Sequence, residues 1–537
     1  MIHARTSPGT VIATVLGVVV PVAFLAVFFA WPVAAMIGRG LADGLGGFGE
    51  VFSRPRTLRL VGLTLGQAAL ASIVCVVVGL PLAHVLYRLT FRGRALLRAL
   101  VILPFVLPTV VVGVAFRTLL RDTPLDGSFA AILLALVFFN VAVVVRTVGS
   151  AWEGLDPRQE DAARVLGATP ARVFLTITLP RLGPSIAAAA SVVFLFCATA
   201  FGVVLVLGGT RFGTIETEIY LLTTQFLDLR AASVLSVTQL AIVVVLLAVV
   251  GRVRGSTQRR VTVARAPRRQ DAPAVVAAVL VAAALAVPVL ALVERSLRTR
   301  DGYGFGNYAA LGGTGSRNAL VVPVWVALGN SLATAVQATA IALVVGLVAA
   351  LVLSRRPRGP FARRALAALD GALLLPLGVS AVTVGFGFLI TLNAPPLDLR
   401  SSPILVPIAQ ALVALPLVVR TVLPVLRSLD PRLRESAAVL GAAPWRVLRD
   451  VDLATVARPA FAAAGFAFAV ALGEFGATSF LARPDRPTLP VVIFRLIGLP
   501  GGDNLGMAIA ASVILAAVTV AVVALVERLR VGTVGAF

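Results

Sequence analysis

Unbroken apolar stretches of about twenty residues, each long enough for one helical crossing of a bilayer, recur along the whole chain. They are Val11–Ile37, Thr57–Tyr87, Ala99–Phe116, Phe129–Val145, Ser185–Leu207 and Ala232–Val250, then Pro273–Val293, Trp325–Leu353, Ala365–Leu392, Ile404–Leu423, Pro459–Leu481 and Met507–Val526. A basic gap separates the sixth from the seventh, so the candidate spans divide six and six. Lipid is therefore the expected solvent for much of this chain. Its 537 residues are 59% apolar and 13% charged, against about 25% charged in soluble domains. That balance excludes a soluble enzyme, a DNA-binding protein and a disordered scaffold. The expected fold is all-α, a polytopic membrane protein of about twelve transmembrane helices.

A net charge of +23 suggests nucleic acid until the charges are located. Every basic residue is Arg, in short clusters between apolar runs, with no basic stripe interleaved with aromatics. Membrane topology explains such clusters better than nucleic acid does. Arg88, Arg92, Arg94 and Arg98 fall on one predicted side, with Arg355, Arg356, Arg358, Arg363 and Arg364. The central gap joins them through Arg252, Arg254, Arg259, Arg260, Arg265, Arg268 and Arg269. The other side holds Arg117, Arg121, Arg211, Arg230 and Arg400. Short Arg-rich loops stay in the cytoplasm. Both termini and the central gap are therefore expected there, in a multi-pass protein of the cell's inner membrane. The polar start containing Arg5 precedes an apolar run longer than the roughly 7–15 residues of a signal-peptide core, which reads as an uncleaved anchor.

The two halves resemble each other. Leu155-Asp156-Pro157 recurs as Leu429-Asp430-Pro431, 274 positions later. At that offset Arg146-Thr147 matches Arg420-Thr421, Val165-Leu166-Gly167 matches Val439-Leu440-Gly441, and Phe201-Gly202 matches Phe475-Gly476. Upstream, Gly113 and Gly79 match Gly385 and Gly346 at slightly shorter offsets. An even number of spans per half sets both halves the same way up, a parallel repeat with a pathway between. The expected division is a first transmembrane domain at 1–251, a linker at 252–272, and a second at 273–537.

The longest cytoplasmic loop of each half, about 153–180 and 427–454, carries helix signals. Asp156 can cap a helix with Pro157 at its first position. The helix would run to Leu166 and end at a left-handed Gly167. Pro170 then opens a second short helix, ending near Pro180. Asp430, Pro431, Gly441 and Pro444 repeat the plan. An amphipathic helix on lipid headgroups would explain one copy; two matching copies point to a docking device.

These loops carry a family resemblance. Residues Asp161 to Ala168 (DAARVLGA) and Glu435 to Ala442 (ESAAVLGA) resemble the EAA loop of ATP-binding-cassette importer permeases, and the match continues through Leu179-Pro180 and Pro184. The resemblance implies a type I importer permease of the fused two-domain kind. It implies that each loop is a coupling helix held in a groove of an ATPase subunit. Asp161, Ala162, Ala163 and Gly167 would serve one site, and Glu435, Ser436, Ala437 and Gly441 the other. The implied partners are two copies of a cytoplasmic ATPase, an extracytoplasmic binding protein and the lipid bilayer. Asp for Glu at 161, Ser for Ala at 436 and Ala for Pro at 454 bear on the equality of the two docking sites. The chain has no phosphate-binding Gly-rich loop and no Lys, so ATP and Mg belong on another polypeptide. No catalytic, cofactor or metal residue is expected here: Cys75, Cys197, His3 and His84 are isolated in sequence.

Fused permeases of this kind resemble thiamine and ferric-iron importers. Leu136 to Asn140 (LVFFN), Leu207-Gly208-Gly209 with Thr214-Ile215-Glu216, Ile219-Tyr220, and Thr488-Leu489-Pro490 with Ile497-Gly498 lean toward thiamine, with ferric iron as the alternative. Glu474, in Leu472 to Gly476 (LGEFG), is the candidate pathway acid. It could equally be a mouth residue bonded to local backbone. Gln67, Asn140, Gln337 and Gln410 read as interhelical hydrogen bonds. Tyr303 to Tyr308 (YGFGNY) could lie at the membrane interface or touch a binding protein. A secondary transporter with six plus six helices is the rival class. It would need ion-coupling groups at mid-membrane and would leave the doubled loop unexplained.

Overall fold

The computed structural model describes residues 8–42, 44–209, 211–252, 264–299, 302–355, 359–395 and 397–531. The polar start around Arg5, the linker stretch 253–263, and Arg356 and Arg358 lie outside them. Among the described residues, ten helices are long and apolar enough to cross a membrane. Five belong to the first half: Gly17–Gly40, Pro55–Arg88, Phe129–Glu153, Pro170–Ala198 and Leu229–Ala248. Five belong to the second: Arg269–Leu297, Val324–Leu353, Leu405–Ser428, Pro444–Gly473 and Asp503–Val526. Large apolar side chains such as Ile73, Val77, Leu280 and Leu290 stay exposed on these helices, as lipid-facing residues must.

The remaining two expected spans are bent. Arg94–Val106 meets Thr109–Leu120 at 103°, and Pro360–Pro376 meets Ala381–Thr391 at 98°. Among the described residues the count is therefore ten spanning helices, or twelve if each bent pair is one span. Extended backbone causes both corners. Leu107 is held extended before Pro108. Val379 and Ser380 are extended, and the Ser380 hydroxyl accepts from the Val382 and Thr383 N–H groups to start the next helix. Two further runs stop short of their expected ends. The helices end at Ala198 and Gly473, and short helices Gly202–Gly208 and Thr478–Leu481 follow.

The halves exchange their first helices. Gly17–Gly40 packs against Val324–Leu353 and Ala381–Thr391 of the second half. The helix Ala272–Leu297 packs against Pro55–Arg88 and Thr109–Leu120 of the first. Each half is thus clasped by a helix of the other, and neither half packs alone. Within each half the long helices approach closely at equivalent glycines. A Cβ on Gly79 would lie 2.8 Å from the Val144 side chain, and one on Gly346 would lie 2.7 Å from Val418. Small residues at such crossings let helix backbones pack without a hydrophobic driving force.

The predicted polar contacts are found in part. Gln67 donates to the Cys197 carbonyl across helices (3.2 Å), and Asn140 reaches the Cys197 sulfur and its own helix's Leu136 carbonyl. Gln337 is exposed and Gln410 keeps an unpartnered amide oxygen. The described end of the linker is anchored: Arg265 pairs with Asp271 at 2.7 Å, and Asp271 meets His84 at 3.1 Å.

Candidate functional site

The two loops fold alike. Asp156 accepts from the Arg158 N–H and Asp430 from the Arg432 N–H, each at 3.0 Å. These side chains satisfy a donor that the first helical turn leaves open. The helices Arg158–Val165 and Pro431–Val439 follow. Gly167 and Gly441 then adopt φ of +84° and +83°. In each loop the glycine N–H returns three residues and the next N–H five, to Arg164 and Ala163 and to Ala438 and Ala437. That pair of bonds needs a left-handed residue, which glycine supplies without a Cβ clash. Pro170 and Pro444 begin the second helices as expected. These do not end near Pro180, however. They run through π turns at Phe174–Thr178 and Leu448–Leu453 straight into the spans. Pro180 lies inside the first of these continuous helices, just after the π turn.

Asp161, Ala162 and Gly167 are exposed and Ala163 is half-buried; Glu435, Ser436 and Gly441 are exposed and Ala437 is half-buried. The most exposed apolar residues lie beside them. Val165 and Leu166 are each 87% exposed, and Val439 and Leu440 are 87% and 86% exposed. The sequence marked these residues only as letters of the repeat. Trp445 and Leu433 add exposed apolar surface to the second loop alone, so the two projecting surfaces are unequal.

Ion pairs that sequence reasoning missed fix each projecting helix. In the first half, buried Glu160 receives Arg88 from the end of Pro55–Arg88 at 3.0 Å and the Thr178 hydroxyl from the π turn at 3.0 Å. In the second half the acid changes place. Asp452 in the π turn, wholly buried, receives Arg434 of the projecting helix at 2.6 Å and Arg355 beyond the end of Val324–Leu353 at 3.2 Å. At the repeat offset Glu160 corresponds to Arg434 and Thr178 to Asp452. The same three-way clamp is built twice, with the acid on the projecting helix in the first half and on the π turn in the second, and with Arg88 and Arg355 as the third member. Opposite charges at Glu160 and Arg434, one repeat apart, were its trace in the sequence.

Between the halves lies an aromatic seam. Phe201 and Phe475, one repeat apart, stack with ring centroids 5.4 Å apart and planes 19° apart. Tyr220 and Phe494, also one repeat apart, meet edge to face at 6.4 Å. Tyr220 touches Phe201, and Phe494 touches Phe475. Phe480 adds a further edge contact to Tyr220 at 5.4 Å. The rings thus meet their own repeat equivalents, which places them at the pseudo-twofold axis.

Glu474 borders this seam and is buried, with both oxygens engaged. One accepts from the Ala477 N–H at 2.8 Å, the other from the Thr478 N–H at 3.0 Å and the Thr478 hydroxyl. The arrangement is that of an acid bonded to local backbone at the start of Thr478–Leu481. A second buried acid, Glu216, stood out in the sequence only as part of the Thr214-Ile215-Glu216 segment; its burial was not legible there because it lies outside the apolar runs. It sits in the first turn of the short helix Ile215–Thr224. One oxygen accepts from the Ser380 hydroxyl of the other half at 2.5 Å, and the other has no hydrogen-bond partner. Neighbouring Gln239 donates to the Ala198 carbonyl and also stabilises the Glu216 carboxylate.

A cavity of about 720 Å³ opens between the halves, lined by Arg117, Arg121, Arg295, Arg298, Asp126 and Asp503 among others. Gly306 and Asn307 of the Tyr303–Tyr308 segment reach it, while Tyr303 and Phe305 are exposed.

Comparison with known proteins matches this architecture. A family model described as the binding-protein-dependent transport system inner membrane component covers residues 75–301 and 342–531. The thiamine transport system permease protein of Brucella abortus (strain 2308) is 27% identical over 491 residues, covering 86% of this chain and 87% of the relative. Its counterpart in Escherichia coli (strain K12) is 27% identical over 462 residues, 82% of this chain and 83% of its own. The sulfate transport system permease protein of Escherichia coli (strain K12) is 31% identical over 252 residues, 44% of this chain and 91% of its own. The chain is a multi-pass membrane permease rather than an enzyme. Matched twice along its length, it belongs to the family of binding-protein-dependent transport system inner membrane components.

Proposed function

We propose that this chain is a membrane-spanning permease subunit of an ATP-driven importer, and that its cargo is thiamine. The observation that carries the mechanism is the pair of matched projecting helices, each ending in an exposed Val-Leu pair and clamped to its own span. Burying such side chains in a partner stabilises the contact by about 1.5–3 kcal/mol each. In this reading each helix docks on one copy of a cytoplasmic ATPase, and both termini lie on that side. The two transport domains are residues 1–251 and 273–537, joined by 252–272. A binding protein on the opposite face delivers the cargo. Closure of the ATPase pair moves both projecting helices together, and the clamps pass that motion to the long helices. The seam at Phe201 and Phe475 then parts. Each ligand shifts this equilibrium only by its differential affinity for the two states.

The cargo rests on relatives named for thiamine transport that align through both halves. The sulfate relative aligns with less than half of the chain. Ferric iron stays the alternative that the sequence offers. Labelled thiamine uptake at nanomolar concentration, with and without the gene, tests the cargo, with ferric iron and sulfate in parallel. Selective loss of thiamine uptake is expected. Loss of iron or sulfate uptake alone would replace the cargo and keep the mechanism.

A further inference from the structure

We infer that the aromatic seam and Glu216 together form a binding site, within the membrane-spanning part, for a compact heteroaromatic cation. The inference rests on the thiamine reading and extends it to named residues. Four observations lead to it. Phe201 and Tyr220 from one half face Phe475 and Phe494 from the other, so any cargo passing between the halves must part these rings. Ring faces attract cations and stack on flat ligands. Closure alone needs no aromatic rings; aliphatic side chains pack as well.

Glu216 supplies the acid: burial raises its pKa to about 8 in this closed arrangement, and a cation arriving between the rings would restore its charge. It lies four residues before Tyr220 on one helix, which places both side chains on the same face. It is wholly buried, its polar neighbours are the neutral side chains of Ser380 and Gln239, and among the described residues it has no ion pair. A buried carboxylate left in this state is costly, and intramembrane acids mark substrate or ion pathways. Its one bond, to Ser380, crosses to the corner of the second half's bent pair. Parting the halves therefore frees the carboxylate as it frees the rings.

The repeat makes the site one-sided. Position 490, equivalent to Glu216, is a proline. Glu474 does not restore the balance, because both its oxygens already hold backbone and Thr478. A single carboxylate beside four rings suits a ligand with one fixed positive charge and flat faces. Thiamine, with a cationic thiazolium and an aminopyrimidine ring, has that chemistry.

The test uses the full chain assembled with its ATPase, without the binding protein, and labelled thiamine as the probe. Equilibrium binding is measured in the nucleotide-free, ATP-trapped and ADP-bound states. Saturable binding is expected in at least one state. Glu216→Gln keeps size and shape and should weaken that binding by about tenfold or more. Tyr220→Leu should weaken it by about fivefold, whereas Tyr220→Phe, which keeps the ring, should bind as the wild type does. Co-elution of each variant with the ATPase shows that it is folded. Equal binding by wild type and Glu216→Gln, or no saturable binding by the wild type in any state, overturns the inference. If gene loss abolishes thiamine uptake while Glu216→Gln binds normally, the cargo stands and only this site falls. If gene loss leaves thiamine uptake intact, the cargo reading falls and this inference falls with it.

Discussion

Aspartate at both Leu166 and Leu440 is expected to detach the ATPase and abolish ATP-driven uptake while leaving the permease folded. Both side chains are more than four-fifths exposed, so the substitutions remove almost no packing from the chain itself. Surface changes of that kind move stability by about 0.5 kcal/mol or less. In the docked state each carboxylate would be driven into an apolar groove, which costs on the order of several kcal/mol without a partner. With two sites affected, association should fall by on the order of a thousandfold or more. Co-purification of the ATPase with the membrane-inserted double variant measures this directly. Leu166→Met with Leu440→Met should retain the complex, because volume-conserving apolar exchanges are tolerated. A double aspartate variant that still holds the ATPase would remove these helices from the docking surface.

The second large effect concerns the clamps. Asp452→Asn leaves Arg434 without its buried countercharge and loosens Arg355. Breaking a buried pair from one side costs about 3–5 kcal/mol; half-exposed Arg355 contributes little of that. Transport should fall by about tenfold or more, with the chain still inserted. The different placement of the acid in the two clamps offers a sharper experiment. Glu160→Arg alone sets a third positive charge against Arg88 and Arg164, and uptake should be lost. Adding Thr178→Asp rebuilds in the first half the arrangement that Asp452, Arg434 and Arg355 make in the second. Uptake should then recover. If the double variant is no better than Glu160→Arg, the ion pairs do not position the helices.

The features that the sequence makes legible are those written locally. Run length marked the spans, and the constant 274-residue offset marked the repeat. Asp156, Gly167 and their equivalents marked the loops, because caps and left-handed turns depend on the residue at one position. What escaped depends on direction or partner. Hydropathy continues across the corners at Pro108 and Ser380, so it cannot register a turn of about 100° in an apolar run. The exchange of first helices depends on which half each apolar face meets. Asp161 drew notice through its motif, yet its neighbour Glu160 is the acid turned toward Arg88, a matter of helical phase. Glu216 lay between the recognised spans, whereas Glu474 lay inside one; burial and bonding reverse their interest as free acids.

In the proposed mechanism, cargo moves through this chain only when ATP is hydrolysed by subunits docked on its two projecting helices. Proteoliposomes containing the chain, its ATPase and its binding protein test it most directly, with labelled thiamine outside and ATP on the ATPase side. The account predicts accumulation that needs all three proteins and stops when hydrolysis is blocked. Accumulation by the chain alone, driven by an ion gradient and indifferent to ATP, would contradict it and return the protein to the class of secondary transporters.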